Sequence, residues 1–186
     1  MKKLSTGMIV LIVVVLLGLW TLTSYNGLVT ANEAVDGSWS QVETQYQRRF
    51  DLIPNLASTV EGAADFEKET YTAVTAARSA WQGAGSRDEQ VAAANEFDSA
   101  LSRLLVTVEA YPQLQATQAF RDLMTQLEGT ENRIATARRD YNEVVQSFNV
   151  RVKRFPMNLF AGAFGFEPKS FFESTEGSDV APTIEF

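Results

Sequence analysis

Four stretches of the chain repeat apolar residues at intervals of three, four and seven, the spacing of one face of an α-helix. Strand-like alternation of apolar and polar residues is almost absent between Pro54 and Pro156. The predicted buried positions are, helix by helix, Leu28, Val35, Trp39, Val42, Tyr46 and Ile53; Leu56, Val60, Ala63, Thr70, Val74, Ala77 and Trp81; Ala94, Phe97, Leu101, Leu104, Val108 and Tyr111; and Phe120, Leu123, Leu127, Ile134, Ala137, Tyr141, Val144, Phe148 and Phe155.

Prolines and glycines separate the four predicted helices. The first helix ends near residue 52, and Pro54 lies in the first turn of the second, which stops at Gly83. Ser86 and Glu89 have the spacing of a capping box that opens the third helix, and Pro112 follows its end. Because short links make neighbouring helices antiparallel, we predict an all-α fold, an antiparallel up-down four-helix bundle.

An uncharged apolar run precedes the first amphipathic helix. It extends from Leu4 to Leu22, and its roughly 19 residues would form about 28 Å of helix, enough to cross a bilayer. A cleaved signal peptide is the alternative, since Lys2 and Lys3 resemble its charged start. No small-residue cleavage site follows closely, which favours a retained transmembrane helix that continues towards or into the first bundle helix.

Charges on the two sides of the apolar run indicate its orientation. The two lysines precede it, whereas the first charged residues after it are acidic, Glu33 and Asp36. Positive charge favours the cytoplasmic side, so we predict a cytoplasmic N-terminus and an extracytoplasmic domain. Trp20 and Tyr25 lie where interfacial aromatic residues are common, near the predicted outer boundary.

This orientation predicts which links of the bundle face the bilayer. Residues 52–55 and 111–116 would be distal, residues 83–86 proximal, and the fourth helix would return to the membrane. A basic cluster followed by aromatic residues stands at its end, which suits lipid phosphates and the headgroup boundary. An alternative is that these rings fold back and close the bundle. The candidate membrane-proximal residues are Arg151, Lys153, Arg154, Phe155, Phe160, Phe164 and Phe166.

The distal links carry a second candidate site. Asp51 and Asn55 can cap the second helix, and Arg48 or Arg49 can bind the last carbonyls of the first. The same surface can also dock another protein, in addition to capping. The residues of this predicted tip are Arg48, Arg49, Asp51, Asn55, Tyr111 and Pro112.

Composition excludes several chemistries. The chain has no cysteine and no histidine, which removes disulfides, thiol catalysis, histidine acid–base catalysis and the usual zinc sites. Its formal net charge of −7 makes nucleic acid an unfavourable partner. Paired acids such as Glu96 and Asp98 are two residues apart, do not share a helix face, and are expected on solvated faces. We therefore expect no catalytic residues, no cofactor and no metal.

One further set of positions has an order and spacing typical of a known family. It covers roughly residues 25–173 and consists of Tyr25 to Val29, Glu33, Trp39, Gln47 to Arg49, Asp51 to Asn55, Gly62, Ala63, Glu67, Ala77, Arg78, Glu109, Tyr111, Pro112, Leu114, Phe120, Glu131, Arg138, Tyr141, Asn142, Asn149, Pro156, Gly165, Phe166 and Phe171 to Glu173. In these positions the sequence resembles the LemA family of bacterial membrane proteins. Phe66 is a departure, because the family often has histidine there.

The resemblance implies an N-terminal transmembrane helix and an extracytoplasmic helical bundle in the bacterial inner membrane. We expect an anchor over residues 1–24, the bundle with its aromatic segment over 25–173, and a loose tail over 174–186. A branch of the family in magnetosome-forming bacteria is linked to membrane remodelling. The leading hypothesis is thus a non-enzymatic scaffold or oligomer at the membrane surface, with lipid and either itself or an unidentified membrane protein as partners. The alternative is an accessory subunit that presents its distal tip to a membrane protease or transporter.

Overall fold

A computed structural model describes residues 5–60 and 68–172, and these residues are predominantly helical. No strand occurs within these two ranges, which confirms the predicted all-α class. In chain order the elements are helices α1 (Thr6–Phe50), α2 (Ile53–Val60), α3 (Lys68–Gly83), α4 (Arg87–Val108), α5 (Pro112–Gln115) and α6 (Gln118–Lys153), then two 3₁₀ turns, Met157–Leu159 and Gly162–Phe164.

Some predictions fall outside the described residues. These are the flanking lysines Lys2 and Lys3, the buried position Ala63 and the tail over 174–186. The side chains of Val60 and Thr70 are also outside the description.

The apolar run and the first amphipathic stretch form one helix, α1. Its most apolar 18-residue window has a mean hydropathy of 2.4, and none of that window is buried. By length and composition, it is the one helix in the described part of the chain that could cross a membrane.

The described residues divide into two compact units. The first contains residues 5–40 and 139–171, and the second contains residues 41–60, 68–138 and 172. In the first unit, the rings of Trp39 and Tyr141 meet edge to face with 5.3 Å between centroids. Its buried apolar side chains include Leu28, Val35, Trp39, Tyr141, Val145, Phe148 and Val152.

Aromatic rings form the centre of the second unit. Tyr46 stacks on Trp81 at 4.6 Å, and Phe50 meets Phe97 edge to face at 4.8 Å. Helix α3 packs along α4, joined to it by a link of only three residues, so this pair is antiparallel. Buried positions on α4 are Val91, Ala93, Ala94, Phe97, Ala100, Leu101, Leu104 and Val108.

The predicted start of α4 is confirmed in detail. Ser86 is the residue before the helix, and its hydroxyl accepts the backbone N–H of Glu89 at 3.3 Å. The Glu89 carboxylate reaches back to the N–H of Gly85 at 2.7 Å, one residue earlier than in the usual capping box. Two backbone donors at this terminus are thereby satisfied.

Three predicted buried positions are wrong. Tyr111 is half-buried, because α4 ends at Val108 and the backbone turns before α5. On α6 the buried residue is Val145 rather than Val144, since a 3.6-residue helix drifts by about 20° per heptad. Phe155 is 75% exposed, because α6 ends at Lys153 and the chain leaves the helical path.

Candidate functional site

The residues of the predicted tip belong to the second unit but have different surroundings. Arg48 is exposed. Asp51 is exposed as well, and its carboxylate accepts a hydrogen bond from the Gln47 side chain at 2.8 Å. Asn55 is the third residue of α2, so the prediction that it caps this helix is wrong. The contact of Asp51 is thus made to α1 and not to the start of α2.

The other half of the predicted tip stands at α5. Tyr111 is the residue before this helix, and Pro112 occupies its first position, where the missing N–H of proline costs nothing. Pro112 is exposed, whereas Tyr111 is half-buried.

Arg49 is buried, with only 5% of its surface exposed. Its guanidinium donates to the Asp98 carboxylate, with 2.9 Å between Nη1 and Oδ1, and to the Glu131 carboxylate through Nη2. Arg49 therefore binds two carboxylates of α4 and α6 and not the last carbonyls of α1, so for Arg49 that prediction is wrong. It is also unable to act as an exposed docking residue.

Arg138 completes a charged cluster around Asp98. Its Nη2 donates to Asp98 Oδ2 at 2.5 Å and to the Tyr46 hydroxyl, which in turn donates to Asp98 Oδ2 at 3.1 Å. We call Tyr46, Arg49, Asp98, Glu131 and Arg138 the Asp98 cluster. Two guanidiniums oppose two carboxylates, so the cluster has no formal net charge. It connects side chains of α1, α4 and α6.

Desolvation dominates the electrostatics of the cluster. Burial raises the pKa of the Asp98 carboxyl above its ordinary value, and attraction from the Arg138 and Arg49 guanidiniums offsets part of that rise. Burial likewise raises the pKa of the Tyr46 phenol, and the negative charge of Asp98 adds to the rise. Tyr46 is therefore a protonated donor at neutral pH. The groups of the cluster direct their hydrogen bonds at one another, as in a structural network.

An open cleft of about 900 Å³ lies beside the Asp98 cluster. The Nε atoms of Arg49 and Arg138 are buried and have no hydrogen-bond partner among the described residues. The cleft is lined by Arg49, Asn95, Asp98, Ser99, Leu101, Ser102, Leu105, Met124, Leu127, Glu128, Glu131, Asn132 and Arg138.

The prediction that Asp98 lies on a solvated face is wrong, and the cluster as a whole was not predicted. The sequence contains a signal for the cluster, because the charged members lie three or four residues from core residues and so share a helix face with them. Arg49 follows Tyr46 by three residues, Asp98 follows Ala94 by four, and Arg138 follows Ile134 by four. Charges of both signs on core-facing positions indicate buried ion pairs.

In the first unit, the aromatic residues after α6 fold back onto α1. The Phe160 ring meets Trp20 edge to face at 6.4 Å. Tyr25 contacts both Phe164 and Phe166, with ring centroids 5.4 and 5.9 Å away. The rings of these three phenylalanines therefore fold back onto α1, which is the first part of that alternative, although Phe160 remains 43% exposed.

A glycine turn orients two of these rings. Gly165 has a φ of 79°, in the left-handed region that glycine adopts without strain. Its N–H bonds to the carbonyl of Gly162 and the N–H of Phe166 bonds to that of Ala161, which is the Schellman pattern. Phe164 and Phe166 consequently stand on either side of Gly165 and reach the same tyrosine.

Polar contacts fasten the following residues to α6. The Asn149 side chain donates to the Lys169 carbonyl and accepts its N–H, both at 2.8 Å. Tyr141 donates to the carbonyl of Ser170 at 3.2 Å. Both anchoring side chains are buried, so the segment after α6 has a defined position on that helix.

The predicted basic residues surround the end of α6. Arg151, Lys153 and Arg154 are exposed, and Arg151 Nη1 donates to the Gly27 carbonyl at 3.3 Å. Arg151, Arg154 and Phe155 also line a pocket of about 330 Å³. Lys153 is not among the lining residues. Within residues 5–60 and 68–172, no group of three carboxylates is close enough together to hold a metal ion.

Comparison with known proteins gives one family and several named relatives. The model of the LemA family matches residues 38–186. Magnetosome protein MamQ 2 of Paramagnetospirillum magneticum is 29% identical over 185 residues, which covers 86% of this chain and 68% of that protein. Magnetosome protein MamQ of Magnetospirillum gryphiswaldense is 28% identical with the same coverage. Protein LemA of Metamycoplasma hominis is 24% identical over 152 residues, covering 81% of this chain and 69% of that protein.

Proposed function

The chain belongs to the LemA family, and from this premise we propose that it is a non-enzymatic scaffold anchored in the bacterial inner membrane. It acts as a scaffold or oligomer at the membrane surface, in membrane organisation. We call residues 155–166, which follow α6, the aromatic segment. The observation that carries this proposal is the contact of this segment with Trp20 and Tyr25, near the end of the apolar run of α1.

This contact favours an interfacial location for the segment. If α1 spans the bilayer, Trp20 lies near the headgroups, and Phe160, which touches it, lies there too. Other side chains nearby remain open to the surroundings: Phe155 is 75% and Leu159 is 65% exposed. Exposed apolar side chains beside cations are typical of a surface that enters the headgroup region.

The topology belongs to the same proposal. The N-terminus is cytoplasmic, the chain crosses the membrane once, and the helices beyond the membrane, including the continuation of α1, form an extracytoplasmic, antiparallel up-down four-helix bundle. Lysines before the apolar run and acids after it support the orientation. Short links between helices support the bundle.

A structural role for the charged residues supports the non-enzymatic part. The Asp98 cluster pairs its charges internally, and burial moves the pKa of the Tyr46 phenol still further above neutral pH, so this group stays protonated. Catalytic acids and bases, in contrast, usually face a substrate with a pKa near the working pH.

Spin labels at the aromatic segment test the membrane contact. The chain has no cysteine, so Phe155→Cys, Leu159→Cys and Phe160→Cys can each be labelled in the full-length protein without other changes. In vesicles, we expect power-saturation electron paramagnetic resonance to show that each label is more accessible to lipid-soluble oxygen than to a water-soluble nickel complex. Val106→Cys is the control, because Val106 is 65% exposed and lies on α4.

The outcome is decisive in both directions. Labels at the three segment positions that behave like the label at residue 106 would contradict a membrane contact. Self-association is tested separately by native mass spectrometry of the protein released from nanodiscs, where a monomer at every concentration would contradict an oligomer.

The exposed part of the predicted tip favours a second function, an adaptor for a membrane protease or transporter. Arg48, Asp51 and Asn55 are exposed on consecutive turns, as a docking surface requires. A photocrosslinker at Arg48 or Asn55 in living cells should then capture one abundant membrane protein, and the same crosslinker at exposed Arg121 should not. Equal labelling from all three positions would contradict the adaptor function.

A further inference from the structure

The pocket beside the end of α6 combines cations with apolar walls. It is lined by Trp20, Ser24, Gly27, Leu28, Arg151, Arg154, Phe155, Pro156 and Met157, and encloses about 330 Å³. We call it the Arg151 pocket. None of its nine lining residues is acidic, so its two guanidiniums give it a positive charge.

The pocket stands where α1 changes its surroundings. Every residue from Ser5 to Trp20 is exposed, whereas Thr21, Ser24 and Gly27 are half-buried and Leu28 is buried. The first residues of α1 that the protein itself covers are therefore those around the pocket. In a helix that spans a bilayer, this transition falls at the level of the lipid headgroups.

Its chemistry suits a phosphate that is attached to an apolar group. Arg151 is held at the wall by its bond to the Gly27 carbonyl, which uses one N–H of a fork that has five. Guanidinium forks bind phosphate oxygens in pairs. The rings of Trp20 and Phe155, together with Leu28 and Met157, offer apolar surface beside the cations.

We propose that the Arg151 pocket binds the headgroup phosphate of an anionic glycerophospholipid, with Arg151 and Arg154 on the phosphate and the aromatic walls against the glycerol and first acyl carbons. This inference rests on the proposed function, because the pocket reaches the headgroups only if α1 spans the membrane. A lipid fits better than free phosphate, since five of the nine lining side chains are apolar and would gain nothing from an inorganic ion.

Three variants distinguish binding in the pocket from attraction by the general surface charge. Arg151→Gln with Arg154→Gln removes both cations of the pocket. Arg133→Gln with Arg139→Gln removes two exposed cations of α6 that do not line the pocket, and serves as the control. Gly27→Leu keeps every charge but adds a side chain at the pocket wall, where a Cβ meets no atom within 4 Å.

The measurement is native mass spectrometry of the full-length protein with added phosphatidylglycerol, phosphatidylcholine or inorganic phosphate. We expect retained phosphatidylglycerol adducts, and an affinity lower by about tenfold or more in the double pocket variant and in Gly27→Leu. The control pair should bind as the unchanged protein does, and millimolar phosphate should not displace the lipid.

Each contrary result overturns the inference. An equal loss in the control pair would mean general charge attraction, equal retention of phosphatidylcholine would exclude selection for an anionic lipid, and displacement by phosphate would make the ligand a free anion. If lipid selection fails while the spin labels at residues 155, 159 and 160 still report a lipid environment, the inference falls and the proposed function stands. If the labels report water, both fall.

Discussion

At the residue scale, opposite charges are buried at helix positions that face the core according to the spacing of the apolar residues. The side chains of Arg49 and Asp98 are 6% and 24% exposed. The attraction between the paired charges offsets the free-energy cost of burying them. Taking a charge out of water costs several kcal/mol unless a partner compensates it. Asp98 is the centre of this balance, because both guanidiniums and the Tyr46 phenol bind it.

Replacing Asp98 with alanine should therefore be severe. Asp98→Ala leaves Arg49 and Arg138 without their shared partner, and we expect the free energy of unfolding to fall by about 3–5 kcal/mol. Thermal unfolding of the full-length protein in detergent, followed by circular dichroism, measures the change. Glu96→Ala is the control on the same helix, since Glu96 is exposed and its loss should cost less than about 0.5 kcal/mol. Equal midpoints for both variants would show that Asp98 is not a structural centre.

The sequence explains part of this arrangement and not the rest. Arg49, Asp98 and Arg138 can be recognised as charges on core-facing positions from spacing alone. Which acid faces which arginine depends on helix rotation and axial offset, and a seven-residue repeat leaves both undetermined. Spacing therefore carries a signal that the charges are buried, which the prediction of a solvated Asp98 missed, and no signal that two arginines share one carboxylate.

At the element scale, periodicity and caps locate the helices well. The buried positions predicted for the first amphipathic helix, from Leu28 to Ile53, are confirmed, although Ile53 itself begins α2. The capped start of α4 at Ser86 is confirmed as well. Errors concentrate at helix ends, as with Tyr111 and Phe155, because local turns there override the repeat. The segment after α6 has no repeat at all, so its path could not be predicted from spacing.

That path depends on the left-handed residue Gly165. A Cβ at this position would meet no atom within 4 Å, so alanine there introduces backbone strain and no clash. We expect Gly165→Ala to weaken the turn by about 1 kcal/mol and to raise hydrogen exchange in residues 160–172. Gly162→Ala is the matched control, because this glycine lies in the same turn, has equal space around it and lacks a positive φ. Faster exchange in both variants alike would mean that the conformation of Gly165 is not what holds the turn.

At the scale of the whole molecule, the two parts of α1 have different surroundings. Its apolar window is uncovered by protein, whereas Leu28, Val35 and Trp39 further along are buried. Composition and length predict the uncovered part, and the spacing of apolar residues predicts the buried part. The choice between a retained anchor and a cleaved signal peptide depends on recognition by a peptidase, which none of these properties determines.

Mass spectrometry of the protein from membranes tests this choice. We expect peptides from residues 6–24 in the mature protein, together with resistance to extraction at alkaline pH, because roughly 19 apolar residues hold a helix in a bilayer. Soluble proteins of the same cells serve as the extraction control. A mature protein that begins after residue 24 would instead identify the run as a signal peptide.

The Asp98 cluster also has a consequence for the order of folding. Its bonds join residues that are 40 to 92 positions apart, so each bond closes a long loop and none can form within a single helix. Because the entropy of loop closure opposes these contacts, we expect them to be completed late on the way to the native state. Asp98→Ala should accordingly accelerate unfolding strongly while leaving the refolding rate almost unchanged. The cluster would thus determine how long the second unit stays folded, more than how fast it folds.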